Sequence, residues 1–250
     1  MGALPLEQEI EYPTSDGQPM AETTLHRKVM NDLIHGLESR YADVPEVWVG
    51  GNLFLCYERG NPAAIVAPDV LLAKGVAKWD RPNYLLWEET IPSLVVEVTS
   101  RKTRREDQGK KKLLYEQLGI EELVLFDPYG EYLRPRLQGY RLVRERYQPI
   151  PLEGDGSLLS RTTSLRFQPE GERLRLVDAV TGESLLWPEE EPAARRKEAA
   201  ARRKEAAARQ AAEARAAEEI VARQVAEARA AEAEERSRAL ERELERLRKA

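Results

Sequence analysis

Apolar residues recur at helical spacing near the start of the chain, where Leu25, Met30, Leu33, Ile34 and Leu37 fall on one face. A helix is therefore predicted from Thr23 or Thr24, either of which can cap it, to about Ser39. The period then changes. Val47 to Tyr57 is predicted as a strand or hairpin, with Gly50-Gly51 as a bulge or turn. Ala67 to Ala73 is a short strand beginning beside Pro68, and Ser93 to Thr99 is the most apolar strand, with the pattern of burial on both faces. Arg104 to Leu118 is a helix closed by Gly119 as its C-cap. Gly109 within it costs about 1 kcal/mol relative to alanine and weakens its first turn. Leu123 to Phe126 is another buried strand, ended by Asp127-Pro128.

The predicted order is helix, strand, strand, strand, helix, strand, an α/β arrangement. Its final strand-helix-strand has crossover length, which predicts a parallel pair. After Gly130 the segments shorten and glycine and proline punctuate them, so Tyr140 to Val143 and Arg173 to Val177 are expected as peripheral β-hairpins. The first ~20 residues are polar and turn-rich and are expected to form an extended arm.

The pattern changes again after the linker Pro188-Glu189-Glu190-Glu191-Pro192, which divides the chain into a globular part, 1–190, and a tail, 193–250. The tail lacks glycine and proline and is rich in Ala, Glu, Arg and Lys, a strong helix former. One heptad occurs twice, at Ala194 to Ala200 and at Ala201 to Ala207. Glu198 with Arg202, and Glu205 with Arg209, stand at i,i+4 in the favourable order. Leu240, Leu244 and Leu247, with Val221 and Val225 upstream, make a sparse coiled-coil seam. The tail is expected to join copies into a homo-oligomer, with a dimer favoured, against the blander reading of an isolated helix.

Charge refines this picture. The 250 residues carry a net charge of -5, which excludes a uniformly basic nucleic-acid binder. Arg101 to Lys112 nevertheless holds seven basic residues and two acidic ones, a local patch suited to one anion, or else a solvated helix face. The single cysteine, Cys56, leaves no disulfide within the chain and no zinc cluster, and it reads as a small core residue. There is no signal-peptide pattern and no apolar run of membrane-spanning length, so a cytoplasmic protein without membrane attachment is expected.

The candidate chemistry lies between residues 68 and 111. Asp69 follows Pro68 at a strand start, and Glu97 stands inside Leu94-Val95-Val96-Glu97-Val98. A carboxylate buried among apolar side chains is costly unless a cation offsets its desolvation. Asp69 and Glu97 on neighbouring strands can converge on one hard divalent ion, Mg²⁺ or Mn²⁺. Such an ion serves phosphodiester hydrolysis. On the following helix, Lys111 shares a face with Leu114 or Tyr115 and with Leu118, so it should point at the sheet. Asp107, one turn earlier, is a candidate salt-bridge partner for it. Lys110 and Lys112 lie on other faces and suit phosphate contact or solubility. Arg101, Lys102, Arg104, Arg105 and Lys110 are the candidate nucleic-acid contacts. His26 and His35 are nine residues apart, which is not a metal-ligand spacing, and serine-hydrolase and P-loop signatures are absent. His26 near Glu22 could line the site, although a satisfied structural histidine is the commoner outcome.

The pattern Pro68-Asp69, Glu97-Val98-Thr99-Ser100, Thr103-Arg104-Arg105-Glu106-Asp107, Lys111, Tyr115, Gly119 and Asp127-Pro128 resembles the Uma-two family of restriction-endonuclease-like proteins, within the PD-(D/E)xK nuclease superfamily. The resemblance covers residues 10 to about 187. It implies a restriction-endonuclease-like αβββαβ core with a mixed central sheet. It also implies metal-dependent cleavage of DNA, with Asp69 and Glu97 as metal ligands. The superfamily's lysine stands two residues after the glutamate, but Thr99 is found there. The resemblance makes Lys111 its replacement and Lys102 a less well oriented second candidate. The alternative to a metal-dependent endonuclease is a nuclease-fold module that binds nucleic acid or protein without cutting and assembles through its tail.

Overall fold

The computed structural model describes residues 12–14 and 23–249, with only part of the side chains beyond 210. Most of the expected N-terminal arm, Glu22, and the seam side chains of Val221, Val225, Leu240, Leu244 and Leu247 lie outside the described residues. The chain divides into two compact units, Met1–Pro188 and Glu189–Ala250.

The first unit begins with helix α1 (Thr24–Arg40), whose N-cap Thr23 accepts a hydrogen bond from the His26 amide at 3.1 Å. Strands β1 (Val47–Gly50), β2 (Phe54–Cys56), β3 (Ile65–Val66), β4 (Val70–Lys74), β5 (Asn83–Leu85) and β6 (Leu94–Val98) follow. Next comes one helical segment, 104–118, made of α2 (Arg104–Glu106), a π-helical turn (Asp107–Lys111) and α3 (Lys112–Leu118). Gly119, at φ 83°, closes it in the left-handed conformation expected of its C-cap. Strands β7 (Glu122–Phe126), β8 (Leu137–Val143), β9 (Arg146–Ile150), β10 (Leu158–Ser160), β11 (Leu165–Glu170) and β12 (Arg173–Asp178) complete the unit.

Six strands form the central sheet in the order β1-β4-β6-β7-β8-β9. The pair β6 and β7, joined by the helical crossover, is parallel, and the other neighbours are antiparallel. The α/β class and the αβββαβ core are therefore as the sequence predicts. Residues alternate between the two sheet faces with period two. Leu94, Val96 and Val98 join Val29, Leu33 and Leu37 of α1 in one core, which the β10-β11-β12 sheet also covers. Val95, Leu123 and Leu125 face the other way, into a core with Tyr115, Ile120 and the small β3-β2-β5 sheet. Cys56 is buried there, as expected of a core residue.

Three details differ from the expectation. Residues 47–57 are not a hairpin, because β1 joins the central sheet while β2 pairs in parallel with β5 in the small one. The Gly50-Gly51 pair has another purpose. A Cβ on Gly51 would stand 2.0 Å from the Asp69 carbonyl oxygen, so glycine there permits a close backbone approach. The segment around Tyr140–Val143 is a hairpin arm, but it hydrogen-bonds β7 and so widens the central sheet.

The second unit is α4 (Glu191–Lys249), a 59-residue helix. Arg202 pairs with Glu198 at 2.6 Å, as its spacing predicts. Arg209 instead pairs with Glu213, one turn on, rather than with Glu205. No described helix is long and apolar enough to cross a membrane.

Candidate active site

Strand register brings the two carboxylates together. Val70 pairs with Val96 and Leu71 with Val95 in the antiparallel β4–β6 ladder, so one step further sets Asp69 beside Glu97. Glu97 shares a face with Val95, and Asp69 with Leu71, both of which pack in the core beneath helix 104–118. Two contacts pin the turn that carries Asp69. Asn52 N–H donates to the Pro68 carbonyl at 3.0 Å, and Lys111 Nζ donates to the Ala67 carbonyl at 3.2 Å. Asp69 Oδ2 accepts from the Val98 amide at 2.7 Å, while Oδ1 lies 3.2 Å from His26 Nε2. His26 therefore reaches the site from the first turn of α1, as the reading of it as a residue lining the site expects.

The helix supplies the rest. Asp107, Lys111 and Tyr115 are four residues apart, and in a uniform α-helix each step would turn about 40° past its predecessor. The π-helical turn at 107–111 is wider, turns less per residue, and offsets that fan. Lys111 and Tyr115 both reach Glu97 on β6, with Asp107 beside Lys111. Lys111 Nζ donates to Glu97 Oε2 at 2.8 Å and lies 3.6 Å from Asp107 Oδ1. Tyr115 Oη donates to Glu97 Oε1 at 2.6 Å. Thr103 Oγ1 donates to Asp107 Oδ2 at 2.8 Å. The Asp107 pairing with Lys111 agrees with its sequence spacing. Tyr115 as the second donor to Glu97 was legible only as an inward residue of the helix.

Charge is unbalanced inside this cluster. Glu97 is 1 % exposed and Asp107 is fully buried, and one ammonium is ion-paired with both, while Asp69 nearby is paired with His26. Burial pushes the Glu97 carboxyl up to about 8; Lys111 opposes the shift, while Asp69 and Asp107 reinforce it. Burial likewise raises Asp107 to about 6 against the opposing effects of Lys111 and Thr103. Burial alone would lower the Lys111 ammonium, but Glu97, Asp107 and Asp69 hold it above its usual value. Burial and Glu97 hold the Tyr115 hydroxyl protonated well above its ordinary range. Thr99, at the position where a lysine was expected, is buried beside Asp107, and its side chain helps to lower the Asp107 carboxyl against the effect of burial.

The donor chemistry fits a hard divalent cation: two carboxylates from adjacent strands, a third carboxylate close by, and an excess of negative charge that a cation would relieve. Among the described residues, no three His, Cys, Asp or Glu side chains are grouped to hold a metal ion. Any such site would therefore rest on Asp69 and Glu97 with water or substrate oxygens, as magnesium sites commonly do.

The basic patch divides. Arg101, Lys102, Arg105 and Lys110 are exposed. Lys102 is thus turned to solvent rather than to the carboxylates. Arg104 is half-buried, with its guanidinium 5.2 Å from the centre of the Tyr132 ring. Lys112 lies 3.5 Å over the Tyr140 ring. A cleft of about 310 Å³ lies elsewhere, against the edge strand β1 between Trp48, Trp79 and Tyr41, and contains none of these carboxylates.

A family profile described as "Putative restriction endonuclease", Uma2, matches residues 2–176. No curated protein matches the chain. Among solved structures, one described as "a putative nuclease belonging to DUF820 from Anabaena variabilis ATCC 29413" has 13 % sequence identity and a TM-score of 0.43. The match covers 57 % of this chain and 75 % of that one. The family match spans well over half of the 250 residues and includes every member of the cluster from His26 to Tyr115. The chain belongs to the Uma2 family of restriction-endonuclease-like proteins.

Proposed function

We propose that the protein is a metal-dependent DNA endonuclease whose reaction centre is Asp69, Glu97 and Lys111. One observation carries this reading: the buried contact of Lys111 with Glu97, beside an Asp69 set next to Glu97 by strand register. Asp69 and Glu97 would hold Mg²⁺ or Mn²⁺, which when bound supplies Lewis acidity toward a phosphodiester. The chain's own groups do the rest. His26 and the Val98 amide fix the Asp69 carboxylate, and Tyr115 fixes Glu97 from the side away from Lys111. The Lys111 ammonium, held charged by its neighbours, would stabilise the negative charge that develops on the attacked phosphate. The exposed cations Arg101, Lys102, Arg105 and Lys110, with Arg104, would contact the DNA backbone. We place the protein in the cytoplasm, where buried, unpaired Cys56 stays reduced. The Leu240, Leu244 and Leu247 seam would join two copies, allowing both strands of a duplex to be cut.

Plasmid cleavage with Mg²⁺, with Mn²⁺ and with chelator tests the reaction. Cleavage by the parent that Asp69→Ala and Glu97→Ala both lack supports it. Equal cleavage by all three proteins overturns the assignment. Light scattering of the full chain tests the dimer, and a monomer mass at micromolar concentration would overturn it.

A second reading has its own support. Lys111 and Tyr115 already engage both Glu97 oxygens, and the described residues contain no third ligand grouped with the pair. In that reading the domain binds DNA or protein without cutting. Calorimetry separates the two: failure of the parent to bind Mg²⁺ or Mn²⁺ favours the non-cutting module.

A further inference from the structure

The start of helix α4 sorts its charges onto two faces. Arg195 pairs with Glu191, Arg202 with Glu198 and Arg209 with Glu213, each at i,i+4. These pairs neutralise one side of the helix. Arg196, Lys197, Arg203 and Lys204 are also exposed, but none has an ion pair among the described residues. The sequence explains why. Every position three or four residues from these four is alanine, apart from Pro192, so no acid is within reach along the helix.

Helix geometry places the four cations together. At about 100° per residue they fall within an arc of about 120°, roughly opposite the paired glutamates. The second Arg-Lys pair repeats the first about 10 Å further along the axis and about 20° around it. Ala200 lies between the two pairs and Ala207 just beyond the second on the same face, leaving the cations unobstructed. The result is a flat cationic strip on a helix whose other side is internally balanced. A solubilising surface has no need of such segregation, since interspersed pairs serve it equally well.

We infer that Arg196, Lys197, Arg203 and Lys204 form a second contact with the phosphate backbone of duplex DNA, separate from the basic patch at 101–110. This rests on the reading of the chain as a protein that acts on DNA. Four cations on one face, with no acid three or four residues from any of them, complement a polyanion and offer no apolar surface to a protein groove or a bilayer interior. The contact is to phosphates, so it adds affinity without reading sequence.

Binding of the full chain to a fluorescent 30-base-pair duplex, in chelator and over a range of salt, tests this. The tail variant is Arg196→Gln, Lys197→Gln, Arg203→Gln and Lys204→Gln together, since glutamine keeps helix propensity. Each phosphate contact contributes about 0.9 to the slope of log affinity against log salt. The variant should therefore show a slope shallower by about three to four and at least about tenfold weaker binding at low salt. The neutral swap Glu198→Gln with Arg202→Gln should keep the parental slope, and circular dichroism should report equal helix in all three proteins. A tail variant with the parent's affinity and slope overturns the inference. So does a parent that binds vesicles of anionic phospholipid but not the duplex. The nuclease reading fails differently, by salt-dependent binding that persists in the parent without metal-dependent cleavage.

Discussion

Two glutamates sit on adjacent strands of the same sheet, each 1 % exposed, and they are put to different ends. Glu122, at the start of β7, is surrounded by donors. Arg141 lies 2.7 Å away, Ser160 Oγ donates at 2.5 Å, and the Arg161 amide donates at 3.1 Å. Those donors come from β8, from β10 and from the turn after it, so Glu122 ties the central sheet to the β10-β11-β12 sheet. Glu97, on β6, has two donors and stands in the field of two further carboxylates. A buried carboxylate with its acceptor sites filled by neutral groups and an arginine is a joint. One crowded by like charge is destabilised in its ionised form, and that tension is what a cation or a phosphate reaction can relieve.

Exchanging the two roles by mutation gives the largest effect. Glu97→Gln should cut DNA cleavage by about 10²–10³-fold while leaving the melting temperature equal or higher. Glu122→Gln should lower stability by about 2–4 kcal/mol, by weakening the partnership with half-buried Arg141 and buried Ser160, and leave cleavage per folded molecule unchanged. Thermal melts beside plasmid assays check both, and a Glu97→Gln that cuts like the parent breaks the distinction. Lys111→Ala should slow turnover by about tenfold to a hundredfold with little change in metal affinity measured by calorimetry. Unchanged turnover would remove Lys111 from the chemistry, and solvent-facing Lys102 is poorly placed to replace it.

Gly51→Ala probes the support of Asp69. Its Cβ would meet backbone that cannot rotate away, so a loss of about 1–3 kcal/mol and reduced cleavage are expected. Normal cleavage would show that the close approach does not position Asp69. A further test concerns pH in metal-free protein. Glu97 loses its proton near 8 in the fold, against an ordinary value of 4.5. Between those values the folded chain holds a proton that the unfolded chain has released, so stability falls as pH rises from about 5 to about 8. Glu97→Gln should flatten that slope, leaving a contribution from Asp107 below about pH 6. A melting temperature of the parent that rises across this range would contradict the charge imbalance.

The elements whose signals are local can be read from the chain alone. Helix α1 with its Thr23 cap, the all-buried strand β6, the Gly119 cap and the parallel crossover all follow from periodicity, capping chemistry and connection length. Glu97 was legible because a lone carboxylate in an apolar run has to be matched by something. Lys111 was legible because helical spacing points it inward. The small β3-β2-β5 sheet was not, since strands of two or three residues carry too few positions to show a period. Gly51 read as a turn because a glycine signals freedom without saying whether φ or a neighbour requires it. Glu122 gave no signal either, because its partners lie about twenty and forty residues away in sequence. Folding alone makes His26 reach Asp69, Tyr115 donate to Glu97 and one lysine pair with both Glu97 and Asp107. Those contacts join different layers at one end of the sheet, where strand register and a widened helical turn set distances that no local pattern encodes.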